Sequence, residues 1–367
     1  MNRIRTWIAA LPVILFCISP LYAQETEREA YQSKKVILPF MSYTPETSLM
    51  GGGLMMVQFK PLGAGIETRA SQLILSGIYS LNRQLMIELT PNVILDGDEW
   101  LFEGRYEYSF FPDNYWGVGP FTGKNDEINV EFRSIQFQQA VLKNIGNDLY
   151  TGLNVRWVRL SGVQFSSNDG EPFPDKIISG RNGSRLTGAG FSLRHDKRNS
   201  ITYPTEKHYL ELSTLHYPRL SGSSHPHSSF LLDARKYYGL KESSTSVLAF
   251  HFQARFKSGN VPFQEYSLLG GREIMRGYFE GRFRDANAAQ IQAEWRQILY
   301  KRIGMAVFVS GGEVWNRFKD FNLTNPKYSG GAGLRFNLNP NDTSNLRIDY
   351  GIGKHGSGIY ITIGEAF

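Results

Sequence analysis

The stretch Leu248-Ala249-Phe250-His251-Phe252-Gln253-Ala254-Arg255-Phe256-Lys257 sets Leu248, Phe250, Phe252, Ala254 and Phe256 at every second position, with His251, Gln253, Arg255 and Lys257 between them. A period of two is that of a β-strand with one apolar and one polar face. The same alternation opposes Phe102, Tyr106, Tyr108 and Phe110 to Glu103, Arg105, Glu107 and Ser109. It recurs with Ile291, Ala293 and Trp295 set against Gln290, Gln292, Glu294 and Arg296. Many such runs extend about 10 to 14 residues, roughly twice the usual strand and close to what crosses a bilayer at a tilt. A water-soluble sandwich is the other reading of alternating faces. Strand length, and the clustering of ionisable side chains on one face, favour a membrane wall around a wet lumen.

Sixteen runs of this kind can be traced: residues 36–43, 48–59, 70–80, 84–95, 99–111, 128–142, 149–165, 185–194, 208–218, 228–238, 245–257, 288–299, 305–315, 328–338, 345–352 and 359–367. The expected fold is all-β, a transmembrane antiparallel β-barrel of about 16 strands. From Leu142 onward, short links such as 143–148 and 241–244 alternate with long ones such as 166–184 and 258–287. Outer-membrane barrels have short periplasmic turns and long extracellular loops, so the long links face outward. The polar face, with Glu103, Arg105, Gln253, Arg255, Gln292 and Arg296, is expected to line the lumen.

Composition narrows the class in the same direction. The 367 residues have a mean hydropathy of -0.31, and no apolar run of about 18 residues follows the first 25, which argues against a polytopic helical protein. Residues 1–23 read as a secretory signal: Arg3 and Arg5, an apolar stretch from Trp7 to Ile18, then Leu21-Tyr22-Ala23 before Gln24. Residues 24–35 form a short periplasmic segment and 36–367 the barrel. The single cysteine, Cys17, falls in the signal, so the exported chain has neither disulfides nor cysteine metal ligands. Removing Arg3 and Arg5 leaves 38 basic against 34 acidic residues, too small an excess to indicate nucleic acid. No Gly-x-Ser-x-Gly elbow, phosphate-binding loop or His-Glu-x-x-His helix is present, and His225-Pro226-His227 offers only two metal ligands. The sequence points to no enzyme and no cofactor.

Leu268-Leu269-Gly270-Gly271-Arg272-Glu273-Ile274-Met275-Arg276-Gly277-Tyr278 lies in the longest outward loop. It resembles the loop with an Arg-Gly-aromatic tip that characterises the bacterial surface-antigen superfamily, the kin of BamA and TamA. Gln292-Ala293-Glu294-Trp295-Arg296 resembles the family's Glu-x-Arg strand, and Phe308-Val309-Ser310-Gly311-Gly312-Glu313-Val314-Trp315 its Phe-x-Asp-x-Gly strand, with Ser310 at the usual Asp. Ile363-Gly364-Glu365-Ala366-Phe367 looks like the final strand, ending on an aromatic at the membrane interface.

The resemblance implies that the loop folds back into the lumen and that Arg276, Gly277 and Tyr278 form its tip. By parity Glu294 faces the lumen and is the expected main partner of Arg276, with Asp349 a further candidate and Ser310 only a neutral acceptor. The tip either plugs and stiffens the barrel or couples substrate passage to an opening. Tyr360, Gly364 and Phe367 correspond to the family's C-terminal barrel-assembly signal, read by the assembly machinery during biogenesis. A closure seam involving Pro39 and Ile361 is implied, with Leu38 and Ile361 within crosslinking reach. Family members with periplasmic transport-associated domains carry them before the barrel, and the 12 residues from 24 to 35 are too few for one. The expected function is assistance in inserting or translocating a polypeptide or other client at the Gram-negative outer membrane, among outer-membrane lipids and with a separate periplasmic partner. A passive or gated diffusion channel, or a structural barrel whose loops bind partners, are the alternatives.

Overall fold

The computed structural model describes residues 33–61, 64, 68–95, 97–167, 178–240, 245–322, 326–339 and 342–367. The expected signal, and residues 24–32 of the segment after it, lie outside the described residues. The alternating runs become strands β1 (Lys34–Thr44), β2 (Ser48–Phe59), β3 (Ser71–Ser80), β4 (Leu85–Leu95), β5 (Trp100–Phe110), the three-residue β6 (Asp113–Tyr115), β7 (Ile128–Asn144), β8 (Leu149–Ser166), β9 (Ser184–Asp196) and β10 (Lys207–Tyr217). They continue with β11 (His227–Gly239), β12 (Ser246–Gly259), the short pair β13 (Ser267–Leu269) and β14 (Phe283–Asp285), then β15 (Asn287–Tyr300), β16 (Ile303–Trp315), β17 (Lys327–Asn339), β18 (Asp342–Gly353) and β19 (Gly356–Ile363). Apart from β6, β13 and β14, each strand pairs antiparallel with the next, and β1 meets β19. The result is a closed antiparallel barrel of 16 strands.

The distribution of side chains is inverted relative to a soluble protein. On β16, Val307 and Val309 are exposed whereas Phe308 is buried; on β18, Ile348 and Tyr350 are exposed whereas Arg347 and Asp349 are buried. Apolar side chains outside and charges inside are stable only if the outer face meets lipid. The loop between β12 and β15 leaves the extracellular rim, pairs β13 with β14 from Ser267↔Asp285 to Leu269↔Phe283, and turns inward.

Closure is uneven. β1 pairs with β2 along its whole length, from Lys34↔Gln58 to Thr44↔Ser48. Against β19 it has one register pair, Tyr43↔Ile361, reinforced by Ser42 Oγ donating to the Ile361 carbonyl at 2.6 Å. The expected strand over 359–367 stops early. β19 ends at Ile363, and Gly364, at φ +89°, turns the chain into the barrel, a conformation open to glycine at no steric cost. Pro39 lies opposite Gly53 of β2, and Leu38 is five residues out of register with Ile361, which corrects the expected seam contact. Among the described residues, β1 from Lys34 to Met41 therefore has no register partner on this edge, and Ile37, Leu38 and Met41 are exposed along it.

This register sets a disulfide test in a Cys17→Ser background. Tyr43→Cys with Ile361→Cys should crosslink readily, because directly opposed residues lie within disulfide reach. Leu38→Cys with Ile361→Cys should not, being offset by about 17 Å along the strand; non-reducing electrophoresis distinguishes the two.

Candidate functional site: the lumen loop and the seam

Arg276 is carried at the loop tip into the barrel and is fully buried. Its two terminal nitrogens donate to separate acids, Nη1 to Asp349 on β18 and Nη2 to Glu294 on β15. The guanidinium carbon lies 3.5 Å from the centroid of the Phe308 ring on β16. A buried guanidinium costs several kcal/mol unless paired, and two carboxylates with an aromatic face supply that pairing. The wall between Phe308 and Asp349 is hollowed by two glycines of β17. A Cβ on Gly331 would stand 2.5 Å from the Phe308 ring, and one on Gly333 1.9 Å from Asp349 Oδ1.

The tip backbone is fixed as tightly as its side chain. Gly277, at φ +107°, donates its N–H to Tyr360 Oη at 3.0 Å and lies against the backbone of β18, where a Cβ would come within 2.7 Å of Ile352. Tyr278 Oη donates to the Tyr328 carbonyl at 3.0 Å, and Tyr360 Oη donates to the Tyr278 carbonyl at 3.4 Å. Tyr360, read from sequence as part of a terminal signal, points inward and holds the loop.

The acids that receive Arg276 are shared with a deeper layer. Glu294 also accepts from Arg296 Nε at 2.7 Å, and Asp349 from Arg335 Nη1 at 2.5 Å. Arg335 Nε donates to Glu365 at 2.9 Å, Asn345 donates to the same carboxylate at 2.7 Å, and Arg296 Nη2 reaches the Phe367 carbonyl at 2.9 Å. Residues 364–367 are thus tied into the same network as the loop tip. Phe367, expected at the lipid interface, is buried inside against His251 and Tyr237 because the turn at Gly364 redirects it.

Other expected positions separate. Ser310 does not reach Arg276; its hydroxyl lies 2.7 Å from Ser329 Oγ, while the guanidinium settles over Phe308 two residues along the strand. Glu103, Arg105 and Arg255 border a lumen cavity of about 570 Å³. Gln253, Gln292 and Arg296 are buried rather than open to the large cavity: Gln292 Nε2 donates to the Glu273 carbonyl of the loop at 3.1 Å, Gln253 is held between Asp233 and Gln290, and Arg296 lies between Glu294 and the Phe367 carbonyl. The glycine hollow in β17 and the Arg335–Glu365 link went unread in the sequence. The run Ser329-Gly330-Gly331-Ala332-Gly333 was the visible signal of the hollow.

At the loop root, Glu265 accepts from Arg156 Nη1 at 3.0 Å and lies 3.6 Å from Lys257 Nζ. Burial alone would raise its carboxyl, but Arg156 and Lys257 hold it down to about 2.

Two predictions follow from this geometry. Arg276→Ala strands Glu294 and Asp349, and should destabilise the barrel by about 3–5 kcal/mol, read as a lower temperature of heat-modified electrophoretic migration; Glu294→Gln should cost less. The Glu265 contribution is fully present above its unfolded value near 4.5 and is lost as pH falls toward 2. Protease sensitivity of the loop should rise through that window in the native protein, whereas Glu265→Gln should be sensitive already at neutral pH and lack the acid transition.

The Omp85 superfamily domain matches residues 76–367. Among solved structures, BamA from Haemophilus ducreyi lacking POTRA domains 1-3 aligns with a TM-score of 0.64 at 14% identity, covering 91% of this chain and 70% of that one. CdiB from Acinetobacter baumannii aligns at 0.59 and 13% identity, over 90% and 59%, and CdiB from Escherichia coli at 0.60 and 12%, over 89% and 62%. This chain spans less than two thirds of either CdiB. At these identities the likeness is one of fold. No curated protein matches the sequence.

Proposed function

This chain belongs to the Omp85 superfamily and forms a Gram-negative outer-membrane barrel, and from that premise we propose that it assists polypeptide insertion or translocation by offering the open edge of β1 to a client strand. The observation that carries this reading is the seam. Every second residue of Lys34–Met41 turns its backbone N–H and C=O toward an edge with no paired strand among the described residues, except that Pro39 has no N–H. In hydrocarbon each unsatisfied group costs several kcal/mol, so the edge favours any strand that supplies a matching ladder. Edge pairing of this kind gives affinity through the backbone and tolerates many client sequences. The inward course of residues 364–367 supports the reading, because a straight continuation of β19 would occupy the place the client takes.

A second reading, a gated diffusion channel, is favoured by the charged cavity beside the loop. The two separate experimentally. A photo-crosslinking residue at Leu38 should capture an outer-membrane client during its assembly, with planar bilayers showing only small or transient currents. A large, steady open current with no adduct at Leu38 would instead support the channel and sink the insertion reading.

A further inference from the structure

The outward wall of β9 to β11 carries a row of basic side chains near its periplasmic end. The register sets His208 opposite both Lys197 and Lys236, so three basic residues stand side by side across three strands. His195 joins them: its ring lies 4.8 Å from that of His208, with His208 Nε2 3.1 Å from His195 Nδ1. His195 Nε2 donates to the Asn147 carbonyl at 3.0 Å, which makes Nδ1 the acceptor and His208 Nε2 the donor. The side-chain amide oxygen of Asn147 receives Lys197, so the turn after β7 orders the β9 side of the group. Lys236 lies 5.1 Å over the Tyr238 ring.

Like charges directly opposite one another in a sheet repel, and acids usually intervene. Here the acids of the three strands face the lumen. Asp196 is taken by Arg198, Asp233 by Arg235, and Glu211 by Tyr209 while bordering the cavity. On the outward face the residues beyond the row are apolar: Leu193, Leu210, Leu212, Leu232 and Phe191. A basic row at the upper limit of the polar zone, continuing into an acyl-compatible wall, matches an anion that carries hydrocarbon chains.

We propose that Lys197, His208 and Lys236 form a binding site for the phosphate of an anionic phospholipid in the periplasmic leaflet, with its acyl chains lying along Leu210, Leu212 and Leu232. Charge complementarity selects the headgroup, and position on the membrane wall selects a lipid over a soluble ion. Lysine side chains near a membrane surface contribute about 1 kcal/mol each toward anionic lipid.

The full chain in nanodiscs of mixed phosphatidylglycerol and phosphatidylcholine provides the test, with lipid retained by the released protein counted by native mass spectrometry. The wild type should retain phosphatidylglycerol preferentially. Lys197→Gln/His208→Gln/Lys236→Gln should lower that preference by about ten-fold or more, while Lys301→Gln/Arg302→Gln, which removes basic groups from the same rim elsewhere, should keep it. Heat-modified migration checks that each variant is folded. Should the triple variant misfold, Lys197→Gln/Lys236→Gln is the substitute and Lys197→Arg/Lys236→Arg should restore the preference. Equal preference in wild type and folded triple variant, equal loss in the Lys301/Arg302 control, or complete displacement of the lipid by millimolar inorganic phosphate would overturn the proposal.

Discussion

Backbone satisfaction in hydrocarbon is the constraint on which this structure turns. A strand in a bilayer has no water to receive its N–H and C=O groups, so each edge must find another strand and the sheet must close on itself. Fifteen of the sixteen junctions meet that demand with extended ladders. The sixteenth rests on Tyr43↔Ile361 and the Ser42 hydroxyl. The shortfall arises from two local features: β19 has only eight residues, and the chain beyond it turns inward at Gly364.

The opposite side of the argument is the inside of the wall from β15 to β19, where charge is concentrated and almost fully paired. Arg276 reaches two acids at once across Phe308, and its entry depends on space left by Gly331 and Gly333. Such a buried arrangement is weak as a source of net stability but strong as a specifier of one geometry, because any displacement leaves a charge unpaired in a poorly solvated place. The loop tip thus stiffens the strands that flank the seam on one side, while β1 on the other side is held mainly by β2.

The barrel was legible in the sequence because its signal is periodic and repeated: residues such as Phe250, His251 and Phe252 report their face by parity alone, and loop lengths report the rims. Arg276 with Glu294 and Asp349 was legible through a motif and the same parity. Phe367 was misjudged because parity extrapolates a straight strand, whereas one left-handed glycine at 364 redirects everything after it. Ser310 was misjudged because strand parity gives the face of a residue but not the height at which a loop from elsewhere meets it. Register between β1 and β19 has no local signature at all, since it joins residues more than 300 positions apart.

The loop and the inward-turned segment are not independent, because they hold the same side chains. Arg335 bonds Asp349 on one side and Glu365 on the other; Arg296 bonds Glu294 and the Phe367 carbonyl. Withdrawal of Arg276 would leave Glu294 and Asp349 with unmet charge, and Arg296 and Arg335 are the donors already in contact with them. Any shift of those two arginines toward the vacated acids loosens Glu365 and Phe367. Conversely, extending residues 364–367 along β1 would remove an acid from Arg335 and leave it more fully to Asp349, in competition with Arg276. A shared pair of arginines therefore ties the loop tip to residues 364–367, beside the seam, through side-chain contacts alone.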